Sequence, residues 1–592
     1  MTQPRTHRHW HEEEPETSPS LQARVAAGKA APGLVAWVPT GRLDTSAMTR
    51  VPRYPASTLA DLPVELHLDA ARGSRVPVQI ALLSDVRLIA LAAAVVAPHL
   101  NGRQLAVEVA FVRYSPLTWV AGERGWLQLA ETVLISDVSG DRVPDLIADA
   151  LIPATRLDVP ALAAQPVWLT VSVPADVPAG SYRGALRLTA QDGVILERPL
   201  VVDVMELSVP VDAEKRFHLD LWFAPDAVAT AHSVEPWSET HWFLLSAYLR
   251  EQAAGGQRVI GAAVVDDPWR HGFAYTGGTS QTFTPHSGTV AWSFDGTAWS
   301  FDFARFDRLV STAIAAGVTS QITAYSMLAF SGPERLVYRD VATDELRDDE
   351  VVLGDDRWTA AWTAFLQAFE VHLKAQGWLE RTFLAFDERP PAQLQPALDL
   401  VANVAPTFSA RLHMAGTNEI VTMGQNSCVA WNDLAKVPAD LLSRRRAAGH
   451  TTTFYTYCVG EHPNCVTFSP AVESRMIPWL AAKHGLDGYL RWAFNDWPQD
   501  VWCKPAHLFP QGDEYLVYPG PDGPLSSMRW ELLRQGIEDV ELLWAAQRQL
   551  GDDVPALRQA LELATRNVDG RYKDPADLVT ARRIVEEAML QG

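Results

Sequence analysis

Cysteine is scarce in this chain. Four occur in 592 residues, Cys428, Cys458, Cys465 and Cys503, and none has the short paired spacing of zinc ligands. A Cys458–Cys465 disulfide fits the spacing, but a chain this long does not need one, and reduced packing thiols are the expectation. Positive charge is also short, with 50 Lys plus Arg against 71 Asp plus Glu and a net charge of -21. That balance opposes nucleic-acid backbones and anionic membrane surfaces, so no nucleic-acid partner is expected and a neutral substrate fits better. No apolar run approaches the roughly 18 residues of a membrane span, so no membrane insertion is expected. The opening MTQPRTHRHWHEEEPETSPS has no apolar signal core. A cytoplasmic protein is the reading, or a secreted one if a leader has been removed. His7, His9 and His11 form the one dense histidine cluster, but they lie in a polar tail, residues 1–33, expected to be disordered. No metal and no cofactor are expected.

What is present is an ordinary globular composition, 47% hydrophobic and 20% charged, with room for two or three domains and for a monomer or homodimer. Residues 34–212 alternate in short runs. Val167, Leu169, Val171 and Val173 interleave with Trp168, Thr170 and Ser172, and Asp192-Gly193 reads as a hairpin turn. With no amphipathic helix between the runs, an antiparallel β-sandwich is expected. Past Pro210 the pattern changes. Helical runs end at Gly256, Gly317, Gly377, Gly449 and Gly485, each followed by a β-branched or aromatic run, which is the signature of βα units.

Eight strands are predicted: Phe217–Phe223, Val259–Val265, Thr319–Ser326, Thr382–Phe386, Arg411–Ala415, Cys428–Trp431, Thr452–Cys458 and Gly488–Phe494. Eight parallel strands imply a (β/α)8 barrel over residues 213–546. A final barrel helix follows, with Ser526 or Ser527 as its cap and Leu532, Leu533, Ile537, Val540 and Leu543 as its buried stripe. Residues 547–592 read as a further helical extension outside the barrel.

The chemistry is expected at the fourth strand. Trp358, Trp362, Phe365 and Phe369 mark the buried stripe of a preceding helix. Gly377 stops that helix, and RTFLAFDERP then ends a strand on the adjacent carboxyls Asp387 and Glu388. Neighbouring strand residues point to opposite faces, so a shared substrate requires an irregular strand end. The competing view is that Asp-Glu is a common dipeptide, solvated in an acidic chain. Several of the chain's 21 tryptophans fall at predicted strand ends, suited to stacking on a pyranose ring as well as to core filling.

The motifs FDE, FYTYCVGEHPNCVTFSP with ESRMIPWL, GYLRWAFNDW and GDEYLVYPGPDGPLSSMRWELLRQGIEDVELL together resemble the β-N-acetylgalactosaminidases of glycoside hydrolase family 123 and their uncharacterised bacterial relatives. VWLTVSVPADVPAGSYRGALRL resembles the region before the barrel in that family, so the likeness covers roughly residues 60–546. The resemblance implies a β-sandwich followed by a (β/α)8 barrel. It also implies a retaining exo-glycosidase that removes terminal β-linked N-acetylgalactosamine from a glycan or glycoconjugate, using the substrate's own 2-acetamido group. The family's acidic pair falls on Asp387, as partner of the acetamido group, and Glu388, as general acid and base. Two departures from the family pattern stand near the expected pocket: Arg389 separates the pair from Pro390, and Glu514 replaces a glycine. A preference for N-acetylglucosamine is therefore an alternative.

Strand-end reasoning adds Trp431, Tyr457, Trp492, Asn495, Trp497 and Asp513 as candidate substrate contacts, each equally compatible with packing. Asp266 and Asp267 are read as solvated loop residues, and Arg444, Arg445 and Arg446 as complements to a helix dipole. Two rival functions have distinct signatures. A non-catalytic carbohydrate binder would not need both carboxyls. A metal-dependent barrel hydrolase would need His and carboxylate ligands from several strand ends, where only His218 and His413 qualify.

Overall fold

The computed structural model describes residues 34–53, 62–122, 125–128, 146–153, 155–211, 214–271, 280–458, 462–551, 553–568 and 573–591. The histidine cluster at His7, His9 and His11, and the tail that holds it, lie outside these residues.

The first part is β-rich. One sheet runs in the order Leu34–Trp37, Arg75–Ser84, Gln165–Ser172, Ala106–Pro116, Leu146–Ile152. The other runs Leu157–Val159, Leu88–Leu100, Gly180–Ala190, Gly193–Ser208, Leu66–Arg72, with Arg103–Gln104 paired at its side. Pairing is antiparallel except between Gly193–Ser208 and Leu66–Arg72, which run parallel, so the region is not the purely antiparallel sandwich expected. The alternation at Val167, Leu169 and Val171 does place them in the core between the sheets. Trp168 on the opposite face is also buried, at 1% exposed, but in a different core, the one shared with the barrel. That strand is covered on both faces because the outer face docks on the second region.

The second region is a parallel sheet of eight strands: β1 (His218–Leu221), β2 (Val259–Ala263), β3 (Gln321–Tyr325), β4 (Thr382–Asp387), β5 (Leu412–Gly416), β6 (Asn426–Ala430), β7 (Thr451–Tyr455) and β8 (Gly488–Arg491). Each pairs with its sequence neighbour from β2 to β8, and β8 pairs with β1. The seam between β1 and β2 is held by one parallel bridge, Leu219 to Gln257, so the barrel is nearly closed. Each of the eight overlaps one predicted strand, with ends that differ by up to three residues. One unit departs from strict alternation: β5 and β6 are joined by a 3-10 turn, Asn418–Thr422, in place of a helix.

Local chemistry explains the helices that flank these strands. Asp355 caps Asp356–Gln376 by accepting the Trp358 N–H at 2.7 Å. The helix buries Trp358, Trp362, Phe365 and Phe369 and ends at Gly377, whose left-handed φ of 73° suits a residue without Cβ. Ser527 caps Met528–Leu550, accepting from the Trp530 N–H at 3.1 Å. Pro555–Ala564 and Pro575–Gln591 follow as further helices. Two insertions that the sequence pattern did not flag, one on each side of β3, build a four-stranded sheet from Ala291–Phe294, Trp299–Asp302, Glu334–Asp340 and Glu345–Val351. Its Trp292 stacks on Phe365 with ring centroids 4.8 Å apart, covering the aromatic helix stripe. All four cysteines are free thiols; Cys428 and Cys465 are buried and Cys503 is exposed. Among the described residues no helix is long and apolar enough to cross a membrane.

The two regions are joined by a buried charge network. Asp149, from the strand Leu146–Ile152, meets Arg529 of the last barrel helix at 3.0 Å, and both side chains are fully buried. Arg50 and the Tyr518 hydroxyl also contact Asp149. Burial alone would raise the Asp149 carboxyl, but Arg529 and Arg50 bring it below its ordinary value. Arg529 further donates to the carbonyls of Cys465, Gly512 and Tyr515 at 2.9, 3.0 and 2.7 Å. Replacing Asp149 with alanine would leave a buried guanidinium without its counter-charge. The expected loss is about 3–5 kcal/mol of stability, read by chemical denaturation. A loss below about 1 kcal/mol would mean the pair is solvated.

Candidate functional site

The ends of the barrel strands converge on a cavity of about 390 Å³. β4 delivers Asp387 as its last residue, and Glu388 follows with φ of 49°, in the left-handed region. This is the irregular strand end that a shared site demands: the turn brings two consecutive side chains to one cavity wall. Such backbone costs about 1–3 kcal/mol for a residue with a side chain, and persists only where its surroundings hold it. Here the Glu388 N–H donates to the Ala415 carbonyl of β5 at 3.0 Å.

Each carboxyl has one aromatic donor. The Trp269 indole N–H donates to Asp387 Oδ2 at 2.9 Å, and the Tyr455 hydroxyl at the end of β7 donates to Glu388 Oε1. Burial, reinforced by the neighbouring Glu388 charge and opposed by Trp269, pushes Asp387 up to about 8. Burial also raises Glu388, with Tyr455 opposing. Both shifts disfavour a doubly ionised pair, so near neutral pH the two carboxyls share a proton and titrate as a unit.

The wall around the pair is aromatic. Trp222, Trp269, Phe330, Tyr457, Trp492 and Phe509 all face the cavity, and Trp222 and Trp269 lie with ring centroids 5.2 Å apart. Asp513 also lines it, held by Arg491 at 2.7 Å and by the Trp492 indole at 2.9 Å. Of the residues expected from sequence, the structure therefore brings Asp387, Glu388, Tyr457, Trp492 and Asp513 together. It places three elsewhere. Trp431 packs on Phe454 and His484. Asn495 is fully buried and clamps the Ala224 backbone, accepting from its N–H at 3.0 Å and donating to its carbonyl at 2.9 Å. Trp497 donates to the Val517 carbonyl at 2.7 Å from beneath the surface.

The two departures separate as well. Arg389 lines the cavity and ties the loop beyond β4 to the Ala329 carbonyl at 2.6 Å and to Glu334 at 3.2 Å. Glu514 is buried and does not line the cavity. The view of Asp267 as solvated does not hold: it is 9% exposed, and burial pushes it up to about 6. Sequence reasoning missed Trp222, Trp269 and Tyr455. Trp222 falls near the end of a predicted strand, where an aromatic was a usable signal, whereas Tyr455 is at the middle of the predicted Thr452–Cys458 and reaches the strand end only because the strand stops there. Trp269 sits in a loop that offers none.

For a metal, His218 and His413 lie inside the barrel, and burial drives them down to about 4 and about 3. Among the described residues no third His, Cys, Asp or Glu lies close enough to complete a ligand set with them. The one such set, His67, Asp69 and Asp203, is on the exposed β-rich region.

Comparison with known proteins bears on both regions. The family model "Glycoside hydrolase 123, catalytic domain" matches residues 222–546, and "Glycoside hydrolase 123 N-terminal domain" matches residues 53–190. No curated protein matches the chain. Among solved structures, a family 123 glycoside hydrolase from Clostridium perfringens, described for glycolipid glycan hydrolysis, aligns with a TM-score of 0.77. It shares 18% identity over 94% of this chain and 98% of that one, a likeness of fold. A Bacteroides ovatus GH5 xyloglucanase aligns at a TM-score of 0.29 and 10% identity over 80% of this chain and 98% of that one, and carries no argument.

The raised Asp387 carboxyl makes a prediction about stability. Its folded value of about 8 against an ordinary 3.8 means that the folded state binds more protons than the unfolded state between those limits. This contribution to stability is complete below about pH 4 and lost as pH rises through about 8. Asp387→Asn removes that dependence. Its Tm relative to the wild type should be lowest near pH 4 and rise steadily toward pH 8. A difference that stays flat over this window would show that Asp387 ionises normally.

Proposed function

The chain belongs to glycoside hydrolase family 123, and from that premise we propose that it is a retaining exo-β-N-acetylgalactosaminidase that uses its substrate's 2-acetamido oxygen as nucleophile. The observation that carries this reading is that two consecutive residues, Asp387 and Glu388, present buried carboxyls to one cavity. A retaining enzyme with its own nucleophile needs carboxyls flanking the anomeric carbon, about 5–5.5 Å apart. The other acids on this wall are poor nucleophiles: Asp513 is held by Arg491 and Trp492, Asp433 pairs with Lys436, and Glu419 is exposed.

In the proposed mechanism Glu388 protonates the glycosidic oxygen. The acetamido carbonyl oxygen attacks C1 as the bond to the aglycone breaks, and an oxazolinium forms. Asp387 accepts the acetamido N–H and supplies the counter-charge to that cation. Glu388, now ionised, takes a proton from water, which opens the intermediate at C1 with net retention. The shared proton explains how one pair performs both tasks. In the free cavity burial favours protonated Asp387; the substrate N–H stabilises its ionised form, and the proton then resides on Glu388, where it is needed. The Trp222, Trp269 and Trp492 faces suit the apolar side of a pyranose. The Clostridium perfringens relative acts on glycolipid glycans, and a neutral glycan or glycoconjugate ending in β-linked N-acetylgalactosamine suits a chain of net charge -21.

An attacking group on the same sugar has an effective concentration of about 10^5–10^8 M when well oriented. Nitrophenyl β-N-acetylgalactosaminide should therefore be cleaved, and the β-galactoside, which differs only at C2, should not. Comparable hydrolysis of the plain galactoside would assign the nucleophile to the protein. Faster cleavage of the N-acetylglucosaminide would move the specificity from galacto to gluco.

A further inference from the structure

Adjoining the main cavity is a second, narrower one that shares its Trp222, Trp269 and Trp492 walls and has Asp496 in its lining. Its room is about 40 Å³, against the roughly 10–15 Å³ that one water needs on the same measure. It has space for one or two hydroxyl-bearing substituents and none for a sugar ring, whereas the main cavity, at about 390 Å³, takes the ring.

Asp496 is unusual within this pocket. It is 3% exposed, and neither carboxyl oxygen has a hydrogen-bond partner among the described residues. Its backbone is fixed by its N–H donating to the Glu514 carbonyl at 2.9 Å. The nearby charge is unfavourable: Asp267, itself buried, pushes the Asp496 carboxyl further in the direction that burial already drives it, upward. Leaving a buried acid unpartnered costs stability, and although the wall also carries Thr282, His286, Ser287 and Thr289, neither oxygen of Asp496 is bonded to them. A carboxyl with two unpartnered oxygens, in a pocket that shares three tryptophans with the main cavity, is arranged for a polar group that arrives with the substrate.

We propose that Asp496 is a specificity-determining residue that accepts hydroxyls from the edge of the terminal sugar remote from the anomeric carbon, drawn into this side pocket while the ring rests in the main cavity. The inference rests on the N-acetylhexosaminide reading above and names the residue that recognises the sugar's far edge. The carboxyl accepts from one or two of the hydroxyls on C3, C4 and C6.

The test is calorimetric binding of free N-acetylgalactosamine and its 3-, 4- and 6-deoxy forms to wild type, Asp496→Ala and Asp496→Asn, with the Tm of each protein measured unliganded. Wild type should lose about threefold to tenfold in affinity for at least one deoxy sugar, as expected for one hydrogen bond. Asp496→Ala should bind that deoxy sugar and the parent alike, with unliganded Tm unchanged or higher. Asp496→Asn keeps the shape and serves if the alanine variant does not fold. If both variants retain the full wild-type discrimination, or if Tm falls while discrimination is kept, the proposal is overturned and Asp496 is a structural residue. Wild type that binds N-acetylgalactosamine while Asp496 proves irrelevant sinks the pocket alone. Wild type that binds no N-acetylhexosamine sinks the reading beneath it as well.

Discussion

Two acidic groups on consecutive residues, both taken out of water, form the constraint around which the barrel is arranged. Like charges at such range cannot both ionise in a poorly solvated site. The chain tolerates the pair by giving each carboxyl a separate donor from a distant segment, Trp269 for Asp387 and Tyr455 for Glu388. It also accepts left-handed backbone at Glu388 so that neighbours in sequence become neighbours in space. These supports come from the loop after β2 and the ends of β4 and β7, so the pair exists as a unit only if the barrel is assembled.

That assembly depends in turn on the first region. The face carrying Trp168 is buried in the core it shares with the barrel, and Asp149 anchors Arg529 within it. Arg529 also holds the carbonyls of Gly512 and Tyr515, the residues on either side of the stretch that contains Asp513. One guanidinium therefore links the β-rich region, the last barrel helix and a loop of the cavity wall. In this account the first region works by positioning: it contributes none of the residues named on the cavity wall, yet the wall is tied to it.

The barrel was legible because its punctuation is local. A glycine that ends a helix and a β-branched run that follows are short-range signals, and they located five of the eight strands, the others being found from their apolar runs. The acid pair was legible for a similar reason, being contiguous, and the family motifs lie in the same segments. Direction was not legible. Trp431, Asn495 and Trp497 are close to strand ends in sequence, but proximity along the chain does not say which way a side chain points, and tertiary packing turned all three away from the cavity. Trp269 lies in a loop whose course depends on contacts made far away in the chain. The turn Asn418–Thr422 in place of a helix, and the inserted sheet over the aromatic helix, likewise express long-range packing that no window of residues contains. Asp267 illustrates the same limit for charge, since a loop aspartate was read as solvated and is buried.

The most direct test of the central claim is the crystal structure of the protein with the thiazoline formed from N-acetylgalactosamine, a stable mimic of the cyclised intermediate. The account predicts the sugar in the main cavity, with the thiazoline nitrogen within hydrogen-bond distance of Asp387 and Glu388 beside C1, on the side from which the aglycone leaves. A thiazoline bound with C1 against Asp513, or one that leaves Asp387 without contact to the five-membered ring, would contradict it.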